Sequence, residues 1–298
     1  MIFLYLIASL SLASCAPGDD SDGPTVVATN SILGDIVSNV VGDEAEVIVL
    51  IPLGADPHEF QPSARDVAAI NGADLVVANG LGLEAGLGDV LDSAESDGVP
   101  VLRVAEEVDP IPFGPGGDSG SLDPHFWTDP LRVGAVASVI AVRLESRLPG
   151  GPWQANADGY IAEMTQLDAQ IEDILSPIPD DDRKLVTNHD AMSYFAARYG
   201  FDVIGTVIPG GSTLADPSSS ELAELVATME AQGVDVVFAE TTEPAALAEA
   251  LASEIGEGAE VVELFTESLG GPGSGAENVA AMLMTDAERI AGALSPAG

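Results

Sequence analysis

From Thr25 onward the chain alternates short, almost uniformly apolar runs with longer segments in which apolar residues recur every three or four positions. Val26–Thr29, Glu46–Ile51, Leu75–Ala78 and Val99–Val104 are of the first kind and read as strands. Ser31–Val41 is of the second, with Ile32, Leu33, Ile36, Val37 and Val40 on one helical face. Ser63 can cap a helix running to about Asn71, and a Gly-rich turn leads into another near Glu84–Ala94. Strands that are apolar throughout and separated by helices belong to parallel sheets covered on both faces. The pattern predicts one α/β lobe.

The alternation then pauses. Pro110–Ser121 is a Pro/Gly/Ser loop, and Asp129-Pro130 opens a helix over Leu131–Arg147. After a break at Pro149–Pro152, Trp153–Leu175 reads as one long helix, stopped by Pro177. At about 1.5 Å per residue it spans on the order of 35 Å, enough to connect two lobes. Strands are then predicted at Lys184–Thr187, Asp202–Val207, Asp235–Ala239 and Glu260–Leu264. Helices are predicted at Ala191–Tyr199, Ser218–Gln232, Ala245–Ile255 and Glu277–Leu294, and Ser218 with Glu221 forms a capping-box signal. The expected fold is therefore α/β, two lobes each with a mainly parallel four-stranded sheet flanked by helices, joined by one long rigid helix. The expected boundaries are 1–24 for a leader and tether, 25–152 and 177–298 for the lobes, and 153–176 for the linking helix.

Charge narrows the function. Acidic residues outnumber basic ones 49 to 9, the net charge is −40, and Lys184 is the only lysine. Nucleic acid, which needs a basic footprint, is excluded as a partner, and so is docking on anionic lipid. With 46% hydrophobic residues the chain is a folded acidic protein, and such a surface suits high salt, where self-repulsion is screened. The single cysteine, Cys15, excludes a disulfide framework and any CxxC site. It ends the short apolar run Ile2–Ala13 in Leu12-Ala13-Ser14-Cys15, which resembles a bacterial lipobox, though without a preceding Lys or Arg. Lipidation of Cys15 would tether a soluble body to an outward-facing membrane surface by its lipid alone.

The candidate chemistry lies in three histidines, the only ones in the chain. Asp56-Pro57-His58 and Asp123-Pro124-His125 repeat one triplet, and Asn188-His189-Asp190 supplies the third. Each falls in a loop that follows a predicted strand, where ligands of open parallel sheets are held. They are about 65 residues apart in sequence and can meet only through the fold. Together they predict a divalent-metal site, with Glu267, just past Glu260–Leu264, as the fourth ligand and Glu240 and Glu59 as rival carboxylates. Three imidazoles and a carboxylate form a tetrahedral set suited to Zn²⁺. Asp190 is expected to support the site from outside the ligand shell or to start a helix, and Trp127 to line it or fill the core. A zinc hydrolase with three histidines and an open water position is the alternative. No GxGxxG spacing and no Ser nucleophile elbow is present.

The succession of lobe, linking helix and lobe, with the motifs GADPHEFQPS, LDPHFWTDP, TNHDAMSYFAARYG and LFTESLG, resembles the zinc/manganese solute-binding proteins of ABC importers, from about Thr25 to the end. The resemblance implies a non-enzymatic, monomeric, extracytoplasmic protein, lipid-anchored at the cell surface or in the periplasm. It implies capture of the metal in the cleft between lobes and delivery to a membrane permease. His58, His125, His189 and Glu267 match the family's metal ligands, and the histidine at the third position favours zinc, with manganese the second candidate. The chain differs from many zinc-type members in lacking a His-rich loop at Pro110–Ser121, and from much of the family in having Glu rather than Asp at the fourth position.

Overall fold

A computed structural model describes residues 23–114, 120–256 and 258–295. Cys15 and most of the expected leader lie outside the described residues. Among the described residues no helix is long and apolar enough to cross a membrane.

The first half contains strands β1 (Thr25–Ala28), β2 (Glu46–Val49), β3 (Leu75–Ala78) and β4 (Val101–Arg103). Its helices are α1 (Ser31–Val41), α2 (Ala64–Gly72), α3 (Gly88–Ser96) and α4 (Pro130–Arg147), followed by the linking helix α5 (Trp153–Leu175). The second half contains β5 (Lys184–Thr187), α6 (Ser193–Tyr199), β6 (Asp202–Thr206), α7 (Ser219–Gln232), β7 (Val236–Glu240), α8 (Ala246–Ile255), β8 (Glu260–Leu264) and α9 (Val279–Leu294). Both sheets are parallel, and their strand orders, β2-β1-β3-β4 and β6-β5-β7-β8, are the same order repeated.

Burial follows the period of the strands. Val26 and Ala28 of β1 and Leu75 and Val77 of β3 face a core shared with the second half, while Val27 and Val76 face the opposite layer with Ile70, Leu87 and Leu91. In the second sheet Leu185, Val236 and Phe238 join the shared core, and Val186 and Val237 pack outward with Leu225, Met229 and Leu251. Layers on both faces cover the central strands, which is why β1, β3 and β7 read as almost continuous apolar runs. The shared core runs through the inward stripe of α5 (Trp153, Ala157, Tyr160, Met164, Leu167, Ile171 and Leu175), and α5 packs against α1 and α4 of the first half and α9 of the second. A helix with apolar partners on both halves makes a stiff connector.

Most elements lie within about two residues of the expected bounds, β2 for instance ending at Val49 rather than Ile51, and two differences have a clear local cause. Helix α3 starts at Gly88, after a short 3₁₀ turn, rather than near Glu84. Glu84 is instead buried between strand ends, where it accepts hydrogen bonds from the Thr29 hydroxyl and from Asn79 N, the latter at 2.9 Å. Strand β4 is shorter than Val99–Val104, since regular pairing with β3 covers only Val101–Arg103. Ser63 and Ser218 each close a capping box, with Asp66 and Glu221 respectively.

Candidate metal centre

Each lobe delivers two of four converging side chains. His58 lies in the loop after β2 and His125 in the long connection after β4; His189 follows β5 directly and Glu267 lies three residues past β8. In the second sheet β5 and β7 are neighbours at the point where the strand order reverses, the crevice that open parallel sheets use for ligands. His189 and Glu240 stand at the carboxyl ends of that pair. At the equivalent point of the first sheet, Asn79 Nδ2 donates to Pro124 O at 3.0 Å and so fixes the second Asp-Pro-His loop.

The two triplets share one local fold. Asp56 Oδ1 accepts from His58 N at 2.8 Å, and Asp123 Oδ1 accepts from His125 N at 2.8 Å. An Asp side chain bonded to the backbone two residues on is an Asx turn, and the intervening proline presets the bend. The chain thereby aims each imidazole without a helix or strand to carry it.

Four side-chain atoms, one each from His58, His125, His189 and Glu267, lie within 4.8 Å of one another. Nε2 of His125 is 3.4 Å from Nε2 of His58 and 3.3 Å from Nε2 of His189. Glu267 Oε1 is 3.5 Å from Nε2 of His125 and of His189, and Oε2 is 3.9 Å from Nε2 of His58. A tetrahedron whose corners lie about 2.0–2.1 Å from its centre has edges of about 3.3–3.4 Å. Four of these distances, at 3.3–3.5 Å, are close to that length, and the Glu267–His58 distance of 3.9 Å is longer. Exposure is 4% at His58, 1% at Glu267 and 0% at the other two histidines, and neither carboxylate oxygen of Glu267 has a hydrogen-bond partner. A buried carboxylate without a donor is costly unless a cation meets it.

Two rings are oriented from behind. Nδ1 of His125 is 2.7 Å from Asp123 Oδ1, and Nδ1 of His189 is 2.5 Å from Glu240 Oε1. An ionised carboxylate only accepts, so it assigns the hydrogen to Nδ1 and leaves the Nε2 lone pair facing the centre. Glu240 is thus the ring partner of His189 rather than a donor to the cluster. Glu59 is exposed, on the wall of a cavity of about 610 Å³ that reaches the outer side of His58. Asp190 does not support the His189 ring; it accepts from Gly114 N at 3.0 Å and Ser193 Oγ at 2.7 Å, just ahead of α6. Trp127 is buried, with its ring centroid 5.3 Å from that of His125, and its Nε1 donates to Thr266 O at 2.6 Å, across the lobes.

The loop that carries Glu267 is held on several sides. Phe265 N donates to Asp286 Oδ1 of α9 at 3.0 Å, and Leu269 N donates to Ser31 Oγ of α1 at 3.0 Å. Asn79, Ser31 and Asp286 were not legible as parts of the site, Glu240 was expected only as a rival ligand and not as the partner of the His189 ring, and the orienting role of Asp123 was not read. Only Asp123, two residues before a histidine in a repeated triplet, carried a signal that could have found it.

The electrostatics fit a cluster that lacks positive charge of its own. Burial, then the charges of Glu240, Asp56 and Asp123, raises the Glu267 pKa well above the carboxylate range. Burial also lowers His58 to about 3, with His125 and His189 adding to it, and holds His125 well below its ordinary value. At His189 burial pulls downward, but the Glu240 charge and hydrogen bond, with Asp56 and Asp123, outweigh it and the net shift is upward. Asp123 is raised to about 7 by burial. Neutral His58 and His125 with free Nε2 lone pairs, beside a reluctant carboxylate, are what a divalent cation would stabilise.

Residues 26–293 match the family described as zinc-uptake complex component A, periplasmic. The manganese-binding lipoprotein MntA of Halalkalibacterium halodurans is 30% identical over 301 residues, covering 98% of this chain and 97% of that protein. The zinc-binding protein TroA of Treponema pallidum is 29% identical over 282 residues, covering 92% of this chain and 90% of its own length. The solved structure of the Treponema protein superposes with a TM-score of 0.83 over 92% of this chain and 99% of that one.

Proposed function

Because the chain belongs to the zinc-uptake complex component A family of periplasmic solute-binding proteins, we propose that it captures a divalent transition metal outside the cytoplasm and delivers it to the permease of an ABC importer. His58, His125, His189 and Glu267 hold the cation between lobes spanning 25–152 and 177–298, with residues 153–176 as the stiff link. Zinc is favoured over manganese, since three imidazoles and one carboxylate at tetrahedral spacing suit Zn²⁺. Cys15 carries the lipid that keeps a monomeric body at the membrane surface.

The observation that carries the reading is the pair of unpartnered Glu267 oxygens, buried and within 3.9 Å of three imidazole nitrogens. It also weighs against the hydrolase alternative. Hydrolysis needs an open fourth position for water and a base beside it, whereas Glu267 stands at that position. Native mass spectrometry of protein refolded from chelator tests the proposal. One bound zinc or manganese per chain is expected, and uptake of neither would overturn it.

A further inference from the structure

The two Asp-Pro-His turns differ in what holds the aspartate. Asp123 uses a single oxygen for both His125 N and His125 Nδ1, at 2.8 and 2.7 Å, so that histidine is oriented entirely within its own triplet. Asp56 uses Oδ1 for His58 N at 2.8 Å, but its other oxygen accepts from the Thr213 hydroxyl, which belongs to the opposite lobe. Both Asp56 and Thr213 are buried.

Thr213 sits on the loop between β6 and α7, and three further contacts fix that loop. At its base Ile208 N donates to Asn188 O at 2.7 Å and Asp190 N donates to Gly210 O at 3.1 Å, tying it to the residues flanking His189. At its middle the Phe113 ring of the first lobe lies against Gly211, so closely that a Cβ there would stand 2.0–2.8 Å from three ring atoms. Leu214, next along, is exposed and lines the cavity that reaches His58. The loop therefore bridges a ligand of its own lobe and the turn that aims a ligand of the other.

We infer that Thr213 is a positioning residue: through Asp56 it holds His58 on the cation only while the lobes are together, and so sets the rate at which the cation leaves. His58 is then the first ligand to let go, on the side where the cavity meets solvent. His125 and His189 keep their aim, because their ring partners come from their own lobes. The inference rests on the metal-ligand assignment above.

The test compares Thr213→Val, which removes the hydroxyl at nearly constant shape, with Thr213→Ser, which keeps it. Metal-loaded protein is mixed with excess chelator and release is followed by tryptophan fluorescence. Thr213→Val is expected to release about ten-fold faster, with uptake within about two-fold of wild type and Thr213→Ser close to wild type. In a His58→Ala background, Thr213→Val is expected to add no further loss of affinity, because its effect runs through the missing ring. Release unchanged in Thr213→Val, equal acceleration in Thr213→Ser, or additivity with His58→Ala would each overturn the inference while leaving the ligand set standing. A wild-type protein that takes up no metal would overturn the ligand set, and this inference with it.

Discussion

Glu240 Oε1 lies 2.5 Å from Nδ1 of His189, and both residues come from the carboxyl ends of adjacent parallel strands. The carboxylate fixes the tautomer and turns the ring so that Nε2 faces the other imidazoles. Partners of this kind typically contribute about 10–100-fold to metal affinity.

Replacing Glu240 by Gln keeps the size of the side chain but removes its charge and its obligation to accept. Affinity for Zn²⁺ should fall by about ten-fold or more, measured by competition against a chromogenic chelator. Glu59→Gln, an exposed change on the cavity wall, should leave equilibrium affinity within about two-fold. Equal losses from the two variants would remove Glu240 from its place behind the ring.

Metal uptake should release protons. Burial raises the Glu267 pKa well above the ordinary carboxylate range, so its carboxyl holds its proton more tightly than an exposed one and must give it up to bind the cation. Affinity therefore rises with pH until that carboxyl is already ionised. His58, lowered to about 3, contributes no proton release between pH 5 and 8. Calorimetry in two buffers of different ionisation enthalpy should show net proton release on metal binding, falling as pH rises. Glu267→Gln should lower that release, and an unchanged release would contradict the assignment.

Asp286 couples pH to stability. It is buried on α9, accepts from Phe265 N, and burial raises its pKa to about 7 from 3.8. A carboxyl with a raised folded-state pKa contributes stability that is complete below its unfolded value and is lost as pH rises toward the folded one. Across that window the loss is about 1.4 kcal/mol per pH unit for this group. Asp286→Asn keeps the acceptor and cannot ionise, so the metal-free variant should be less sensitive to pH between 4 and 7 and more stable than wild type at pH 8. Parallel denaturation curves for the two proteins across that range would refute this.

The net charge of −40 predicts a dependence on salt. Screening shortens the Debye length from about 10 Å at 0.1 M to about 3 Å at 1 M, which relieves repulsion among exposed carboxylates. The melting temperature should rise between low and molar KCl. A flat or falling trend would show that the acidic surface is not an adaptation to high salt.

Much of the fold was legible because its central strands are buried on both faces. Leu75–Ala78, Lys184–Thr187 and Glu260–Leu264 form over the residues expected; the first is an unbroken apolar run, and the other two keep a β-branched or apolar pair at their centre. Trp153–Leu175 was equally plain, bounded by Pro152 and Pro177. The convergence of the histidines could be anticipated because there are only three, each after a strand. What stayed hidden depends on contacts between distant residues. Glu84 reads as the start of a helix, but burial against Thr29 and Asn79 turns it inward. Glu240 read as a rival ligand because distance from a carboxylate to one ring nitrogen or the other is set by the pairing of β5 with β7. Thr213 and Asp56 are 157 positions apart, and nothing in either local sequence announces the other.

X-ray absorption at the zinc edge of metal-loaded protein tests the central claim most directly, because imidazole rings leave a multiple-scattering signature. The account predicts three imidazole nitrogens at about 2.0–2.1 Å with carboxylate oxygen completing the shell, and one imidazole fewer in His189→Ala. A shell of oxygen ligands without imidazole scattering, or a spectrum unchanged by His189→Ala, would contradict it.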